Sequence, residues 1–282
     1  MPYRAENPGV PHVKPSWVLL LDILGFQEAV LDAERAGTTD VLLGRFRRAI
    51  DGNSQLLRTP DVPEFSALYA IRTFSDHLVL GWPYVEDGET EFGHIVLSAA
   101  QYQLGLALEG FFVRGALVQG EVYMDENTVF GAAIVEAHRL ESSVAEYPRL
   151  ILSERAVRIV QQHIGFYSDP WRSPQANELL VGSDGLVYLN HLRAAVPSED
   201  EEVLESFREI FSQHRAIVVQ NLERNRNNLR ILSKYLWLSS LHNYTVRELY
   251  GEGSDLAIPL SLPPIDHHSI VDEERPRPLR AP

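Results

Sequence analysis

The stretch Leu19-Leu20-Leu21-Asp22-Ile23-Leu24-Gly25-Phe26 decides the fold, because it places a carboxylate at the end of an apolar run. The run over residues 16–23 is apolar on both faces, which predicts a central strand of a sheet. A second segment, Ile71 to Leu78, places Asp76 in the tight connection of a hairpin, between strands predicted at about 66–73 and 77–82. If the two segments are neighbours, their carboxylates form a cradle for a divalent cation, which indicates phosphoryl chemistry.

Composition restricts the class of protein. The chain has 282 residues, a formal charge of -14 and no cysteine, so we expect one substantial core with an accessory element, without disulfides or thiolate metal sites. The acidic balance argues against nucleic-acid binding. No stretch approaches the roughly 18 apolar residues of a membrane span, and we expect a cytoplasmic protein without a membrane partner. The only lysines are Lys14 and Lys234, so arginines, backbone amides or a metal must hold any phosphate.

Periodicity along the chain predicts a mixed α/β (α+β) fold. Helical spacing predicts helices at about 26–36, 39–57, 91–109, 131–146 and 154–163. Further strands are predicted at 111–123 and 149–153, and a hairpin at 179–190. Because hairpins interrupt the alternation of strands and helices, we predict a largely antiparallel mixed sheet covered by helices.

Four segments, in order, resemble the catalytic domain of class III nucleotide cyclases. Asp22 to Phe26 is similar to that family's first metal segment, Asp-Ile-x-Gly-Phe, and Ile71 to Asp76 is similar to its second, Ile-Lys-Thr-Ile-Gly-Asp. Arg114 to Gly120 resembles a later strand pattern of the family. Gly131 to Arg139 resembles its Gly-x-x-Val-Asn-x-Ala-x-Arg helix.

The resemblance implies a ferredoxin-type fold, a domain organisation and a dimer. The catalytic domain would span 16–195, after an irregular lead-in at 1–15. Helical periodicity, not the resemblance, predicts an extension at 196–250 of two helices, broken near 225–228 or near His214, that pack on the core or on a second subunit. The Pro-rich tail at 251–282 is expected to be disordered. The family's active sites lie at the interface of a homodimer.

The resemblance also implies two divalent cations, Mn or Mg, as cofactors. Asp22, Asp76 and the backbone carbonyl of Ile23 would hold them, and the histidines would stay uninvolved because hard cations prefer oxygen ligands. Free amides of the helix that begins at Gly25 and Phe26 would point at the β- and γ-phosphates.

The arginines are predicted to have two kinds of role, contact with the substrate or structural ion pairing. Arg139 matches the arginine that contacts the reacting phosphate from the opposite subunit. A helix-surface ion pair is the alternative for this residue. Arg114 and Arg149 are predicted to be structural ion-pair partners instead.

The sequence departs from the family pattern at positions that recognise the nucleotide base, its ribose and its phosphates. Arg72 and Thr128 occupy the two base-reading positions without matching either purine code, Val135 replaces a ribose-supporting asparagine, and no late phosphate-binding lysine is evident. These departures resemble the Pycsar antiphage cyclases, which make cyclic UMP or cyclic CMP for a separate effector. Guanidinium donors suit the uracil carbonyls, so UTP is the favoured substrate. A cyclase that uses CTP or ATP and a catalytically silent nucleotide-binding module are the alternatives.

Overall fold

A computed structural model describes residues 3, 11–53, 70–84, 86–260 and 265–272. The strands of this part of the chain are β1 Lys14–Ile23, β2 Ala70–Phe74, β3 His77–Pro83, β4 Val113–Met124, β5 Val129–Phe130, β6 Leu150–Leu152, β7 Leu179–Gly182, β8 Val187–Leu189 and β9 His267–Ser269. Its helices are α1 Phe26–Ala36, α2 Thr39–Asn53, α3 Glu89–Leu108, α4 Ala132–Ser143, α5 Glu154–Ile164, α6 Gln175–Glu178, α7 His191–Ala194, α8 Glu201–Arg224 and α9 Leu229–Tyr250.

The described strands form one mixed sheet in the order β2-β3-β1-β4-β6-β8-β7-β9, and β5 pairs with the end of β4. All the described pairings are antiparallel except that of β4 with β6. The predicted mixed, largely antiparallel sheet covered by helices is therefore confirmed. β1 lies between β3 and β4, as its apolar sequence predicts.

Side chains of β1 alternate between two hydrophobic layers. Trp17, Leu19 and Leu21 belong to the layer that includes residues of α2, α3 and α5. Val18 and Leu20 belong to the opposite layer, which includes residues of α4, α8 and α9. Because successive side chains of a strand point to opposite faces, Asp22 follows Leu20 onto the α4, α8 and α9 side of the sheet.

The helical extension forms two helices that pack on the core. α8 ends at Arg224 and α9 begins at Leu229, which confirms the break predicted near 225–228. The alternative break at His214 is wrong, since His214 is fully buried within α8. Phe211 of α8 and Trp237 of α9 share one buried cluster with Leu20 of β1.

Buried histidines fasten the two helices to each other. Nδ1 of His214 lies 3.1 Å from Nδ1 of His242, and Nε2 of His242 lies 2.9 Å from the carbonyl oxygen of Leu256. Burial lowers the pKa of His242 to about 4 and that of His214 well below its usual range, so both rings are neutral. Since a carbonyl only accepts, His242 carries its proton on Nε2, and His214 donates through Nδ1.

Disorder of the tail at 251–282 is wrong for the part that the structure describes. Leu256 and Ile258 are buried, and β9 extends the sheet by pairing with β7. Burial of these side chains and the added backbone hydrogen bonds offset the entropy cost that the Pro-rich composition suggests. Residues 261–264 and 273–282 lie outside the described residues.

Other predictions fall partly beyond the described residues. Residues 1, 2 and 4–10 of the lead-in, the predicted end of the second helix after 53, and the predicted strand residues 66–69 lie outside them. β5 was not predicted, because two residues are too short for a periodic signal. Among the helices described, none has the length and apolar content needed to cross a membrane.

We expect Asp184→Ala to destabilise the fold through Arg149. The Arg149 side chain is 1% exposed, is paired with Asp184, and lies over the rings of Tyr147, Tyr188 and Trp237. Removal of the carboxylate leaves a buried cation among aromatic rings, at an expected cost of about 3 kcal/mol. Urea denaturation measures this cost. The control Asp32→Ala breaks an exposed ion pair of α1 and should cost less than about 0.5 kcal/mol; equal losses in both variants would contradict the prediction.

Candidate functional site

The structure brings Asp22 and Asp76 together at one end of the sheet. Asp22 is near the end of β1, and Asp76 lies in the two-residue connection between β2 and β3, where Ser75 adopts a left-handed φ of 56°. Because β3 pairs directly with β1, the turn carries Asp76 beside Asp22. One oxygen of each carboxylate and one ring nitrogen of His77 all lie within 4.8 Å of one another. The predicted convergence of the two carboxylates is therefore confirmed.

The histidines were expected to be uninvolved, but the structure places His77 within this cluster. Its Nδ1 lies 3.3 Å from Oδ1 of Asp76, and its Nε2 lies 3.8 Å from Oδ1 of Asp22. The strand register explains its position, because His77 stands directly opposite Asp22 across the β1–β3 pair. Two carboxylates and an imidazole are a donor set that fits a divalent ion such as Mn²⁺.

Arg114 and Glu141 hold the other side of Asp22. Nε of Arg114 donates to Oδ2 of Asp22 at 3.1 Å, and Nη2 lies 2.8 Å from Oε1 of Glu141 on α4. The structural ion pairs predicted for Arg114 and Arg149 are both confirmed. Among the described ion pairs, Arg114 contacts Oδ2 of Asp22 but not its Oδ1. The Oδ1 atom faces His77 instead.

Electrostatics make Asp22 an unusual carboxylate. Burial, with the Glu141 charge as a further contribution, raises the pKa of Asp22 to about 6, although Arg114 and His77 oppose the shift. Protonated Asp22 cannot serve as an anionic metal ligand. Proton and cation therefore compete for this side chain near neutral pH.

We expect metal affinity to fall as the pH is lowered, because the Asp22 carboxyl becomes protonated. Above its pKa of about 6 the Asp22 carboxylate is charged, so its protonation no longer limits the affinity. Below that value each pH unit should weaken Mn²⁺ binding about tenfold, because a proton must leave before the ion binds. Calorimetric titration with Mn²⁺ between about pH 5 and pH 8 measures the profile. This range extends from roughly one unit below the pKa to roughly two units above it. An affinity that stays constant across this range would contradict the prediction.

The two predicted base-reading positions meet at the turn between β4 and β5. Arg72 donates through Nε to the carbonyl oxygen of Asp125 and through Nη1 to that of Ile71. The backbone of Thr128 closes the same turn, since its N–H donates to Oδ1 of Asp125 at 2.8 Å. Nη2 of Arg72 is shielded from solvent and has no hydrogen-bond partner among the described residues. This donor is therefore buried and unsatisfied within the described part of the chain.

The predicted phosphate segment begins α1. Gly25 has a left-handed φ of 72° and precedes the first helical residue, Phe26. The Phe26 ring packs against Phe46 of α2, with 4.9 Å between ring centroids. Ile23 ends β1, and its side chain is buried in the opposite layer from Asp22.

Arg139 lies apart from the carboxylates of its own chain. Its side chain is exposed on α4 and forms no ion pair with Asp22 or Asp76 in the part of the chain that the structure describes. From the same helix, the buried Glu141 reaches the site instead. The structure therefore does not bring all three predicted catalytic residues together within one chain.

Lys234 of α9 is a further basic residue that borders the cluster. The neighbouring Tyr235 packs edge-on against Phe112, two residues before Arg114, with 5.5 Å between centroids. Burial, then the charge of Arg114, lowers the pKa of the Lys234 ammonium, and Asp22 acts in the opposite direction. No local pattern in the sequence indicates a role for this residue, because its proximity depends on how α9 packs.

Among known proteins, similarity to this chain was found in solved structures. No family of known proteins matches the sequence, and no curated protein matches it. The chain is similar to a class III adenylyl cyclase-like ATP-binding protein from Pseudomonas aeruginosa, with 16% identity, a TM-score of 0.38, and coverage of 54% of this chain and 37% of that chain. This chain therefore spans little more than a third of that protein.

Two further solved structures are similar to the chain. The guanylyl cyclase Cya2 has 13% identity, a TM-score of 0.42, and coverage of 63% of this chain and 91% of its own. An adenylate/guanylate cyclase/hydrolase from Silicibacter pomeroyi has 14% identity, a TM-score of 0.38, and coverage of 63% of this chain and 95% of its own.

Proposed function

We propose that this chain is a metal-dependent nucleotidyl cyclase that converts UTP to 3',5'-cyclic UMP and pyrophosphate. The observation that carries the proposal is the convergence of Asp22 and Asp76, with His77, within 4.8 Å at the end of the central strand. Both aspartates stand in the segments that resemble the two metal segments of class III cyclases. A pair of carboxylates at this spacing is the arrangement that divalent cations use in phosphoryl transfer.

The reaction joins the ribose 3'-oxygen to the α-phosphorus and breaks the bond from that phosphorus to the bridging oxygen, so that pyrophosphate leaves and the proton of the 3'-hydroxyl passes to solvent. When bound, divalent cations, Mn²⁺ or Mg²⁺, would lower the pKa of the 3'-hydroxyl and neutralise the charge of the leaving pyrophosphate. Asp22, Asp76 and the carbonyl of Ile23 would hold these ions. The amides at Gly25 and Phe26 orient the outer phosphates.

Arg139 completes the proposed site from a second subunit. Its exposed position on α4 leaves it available to another chain. There its guanidinium stabilises the charge that develops on the α-phosphate in the transition state. The active enzyme is accordingly a homodimer with its sites at the interface.

Base selection is assigned to Arg72 and Thr128. The unpartnered Nη2 of Arg72 is a donor and suits a carbonyl oxygen of uracil. It cannot accept a hydrogen bond from the 4-amino group of cytosine. This chemistry favours UTP over CTP, and an adenylate cyclase with a divergent base pocket is the second enzyme candidate.

The biological role follows from the resemblance to the Pycsar cyclases. We propose that the product is a cytoplasmic second messenger that activates a separate effector during phage infection. The non-enzymatic candidate is a silent nucleotide-binding module, which Val135 at the position of the family's asparagine favours and the two retained aspartates oppose.

Incubation of the purified protein with UTP, CTP, ATP and GTP separately, in the presence of Mn²⁺, tests the proposal. Cyclic UMP should be the main product, and Asp22→Ala should eliminate it. Preferential consumption of ATP or CTP would replace the uridylate assignment. If no triphosphate is consumed while nucleotide still binds, the silent module is correct.

We expect Lys234→Met to weaken binding of the triphosphate. Lys234 adds a positive charge at the border of the carboxylate cluster, where the phosphates of the proposed substrate would lie. Loss of one charge-assisted contact should raise KM roughly tenfold and change kcat less. Steady-state kinetics give both values. Lys14→Met is the matched control at the opposite end of β1, and an equal rise of KM in both variants would exclude a local role.

A further inference from the structure

His77 occupies the space between the two carboxylates. Its side chain is 38% exposed, whereas those of Asp22 and Asp76 are 10% and 20% exposed. Each ring nitrogen faces one carboxylate, Nδ1 toward Asp76 and Nε2 toward Asp22. Any cation held by both aspartates therefore lies within reach of this imidazole.

One spacing within the cluster is close to that of neighbouring ligands on one ion. Adjacent ligands of an octahedral ion with bonds of about 2.1 Å are separated by about 3 Å. The distance from Nδ1 of His77 to Oδ1 of Asp76 is 3.3 Å, close to this value. Oδ1 of Asp22, the oxygen that Arg114 does not contact among the described ion pairs, is on the same side.

Backbone geometry fixes this arrangement. His77 is the first residue of β3 and is paired with Asp22 across the ladder, while Asp76 is its immediate neighbour in the turn. The three donors thus come from a rigid strand pair and one tight turn.

We propose that His77 is a third side-chain ligand of the metal site and makes the site prefer Mn²⁺ over Mg²⁺. The proposal rests on the carboxylate metal site of the proposed function and adds a ligand and an ion preference to it. Mg²⁺ takes oxygen ligands and keeps its waters, so an imidazole nitrogen adds little to its binding. Mn²⁺ also prefers oxygen, but as a first-row transition ion it gains more from a nitrogen ligand than Mg²⁺ does, so an imidazole shifts the balance toward Mn²⁺.

Pulsed electron paramagnetic resonance of Mn²⁺ bound to the full chain, without nucleotide, tests the ligand directly. Coupling to a ¹⁴N nucleus is expected in the wild-type protein and should be absent from His77→Gln. Mn²⁺ bound without ¹⁴N coupling would overturn the role of His77 and leave the two-carboxylate site intact. Failure of the wild-type protein to bind Mn²⁺ would overturn both proposals.

Competition between Mn²⁺ and Mg²⁺ tests the preference. His77→Gln should weaken Mn²⁺ binding roughly tenfold, the scale on which metal sites respond to loss of a tuning group, and should change Mg²⁺ binding by less than about twofold. Asp76→Asn should weaken both ions. His12→Gln is the control, because His12 is exposed and precedes β1, ten positions from Asp22. Equal losses of both ions in His77→Gln would show a general structural effect and overturn the preference.

Discussion

Asp76→Asn is expected to reduce nucleotide turnover by at least about a thousandfold, because it removes the charge of one of two carboxylates that hold the catalytic cations. The substitution keeps the shape of the side chain and the hairpin turn. Binding of Mn²⁺ should fall in parallel, since Asp22 and His77 alone form a poorer donor set. Measurement of cyclic nucleotide formation at saturating Mn²⁺, beside a metal titration, separates lost chemistry from lost metal.

A matched control for this variant is Asp40→Asn. Asp40 is exposed in the first turn of α2, and the same loss of charge there should leave turnover unchanged. Circular dichroism and thermal unfolding verify that both variants fold. Retention of more than about a tenth of the wild-type rate in folded Asp76→Asn would be incompatible with several kcal/mol of transition-state stabilisation by the cations.

The central carboxylates could be predicted because local patterns specify them. Six apolar residues among positions 16–23 predict a buried strand that contains Asp22, and a two-residue connection predicts the hairpin that carries Asp76. The partners of these residues depend on strand register and on helix packing, which have no local signature. His77 stands opposite Asp22 only because β1 and β3 are paired in one register, and a shift of one residue would turn it to the other face.

Long-range packing also explains the other errors and omissions. Glu141 reaches Arg114 because α4 packs over β1 and β4, and an acidic residue in a helix gives no indication of such burial. Lys234 borders the site only because α9 packs against Phe112, the residue that directly precedes β4. The tail composition indicated disorder, but sheet pairing by β9 and burial of Leu256 outweigh it for the residues described.

The exposed face of α4 has the features that the proposed dimer requires. Val135 lies one helical turn before Arg139 and is 70% exposed, and Phe130, just before the helix, is 67% exposed. Apolar side chains at such exposure beside a basic residue favour contact with a partner surface. Such a contact would bury Val135 and Phe130 while it delivers Arg139 to the Asp22 and Asp76 of the other chain.

Mixing of two inactive variants should therefore restore activity. Asp76→Ala lacks a metal ligand and Arg139→Ala lacks the transition-state contact, and each alone should lose at least about a hundredfold in turnover. In a mixed dimer one of the two sites receives an intact carboxylate pair from one chain and Arg139 from the other. Random exchange of subunits at equal concentration should recover about a quarter of the wild-type activity, since half of the dimers are mixed and each has one intact site.

The mixing experiment discriminates between an arginine supplied within a chain and one supplied by a partner. A mixture of Asp76→Ala with Asp22→Ala should remain inactive, because both substitutions damage the same half of each site and no dimer contains an intact pair. Analytical ultracentrifugation of the wild-type chain establishes whether dimers form at the assay concentration. If Arg139→Ala alone keeps wild-type turnover, or if the first mixture stays inactive although mixed dimers form, Arg139 does not act across a subunit interface and the exposed face of α4 has another use.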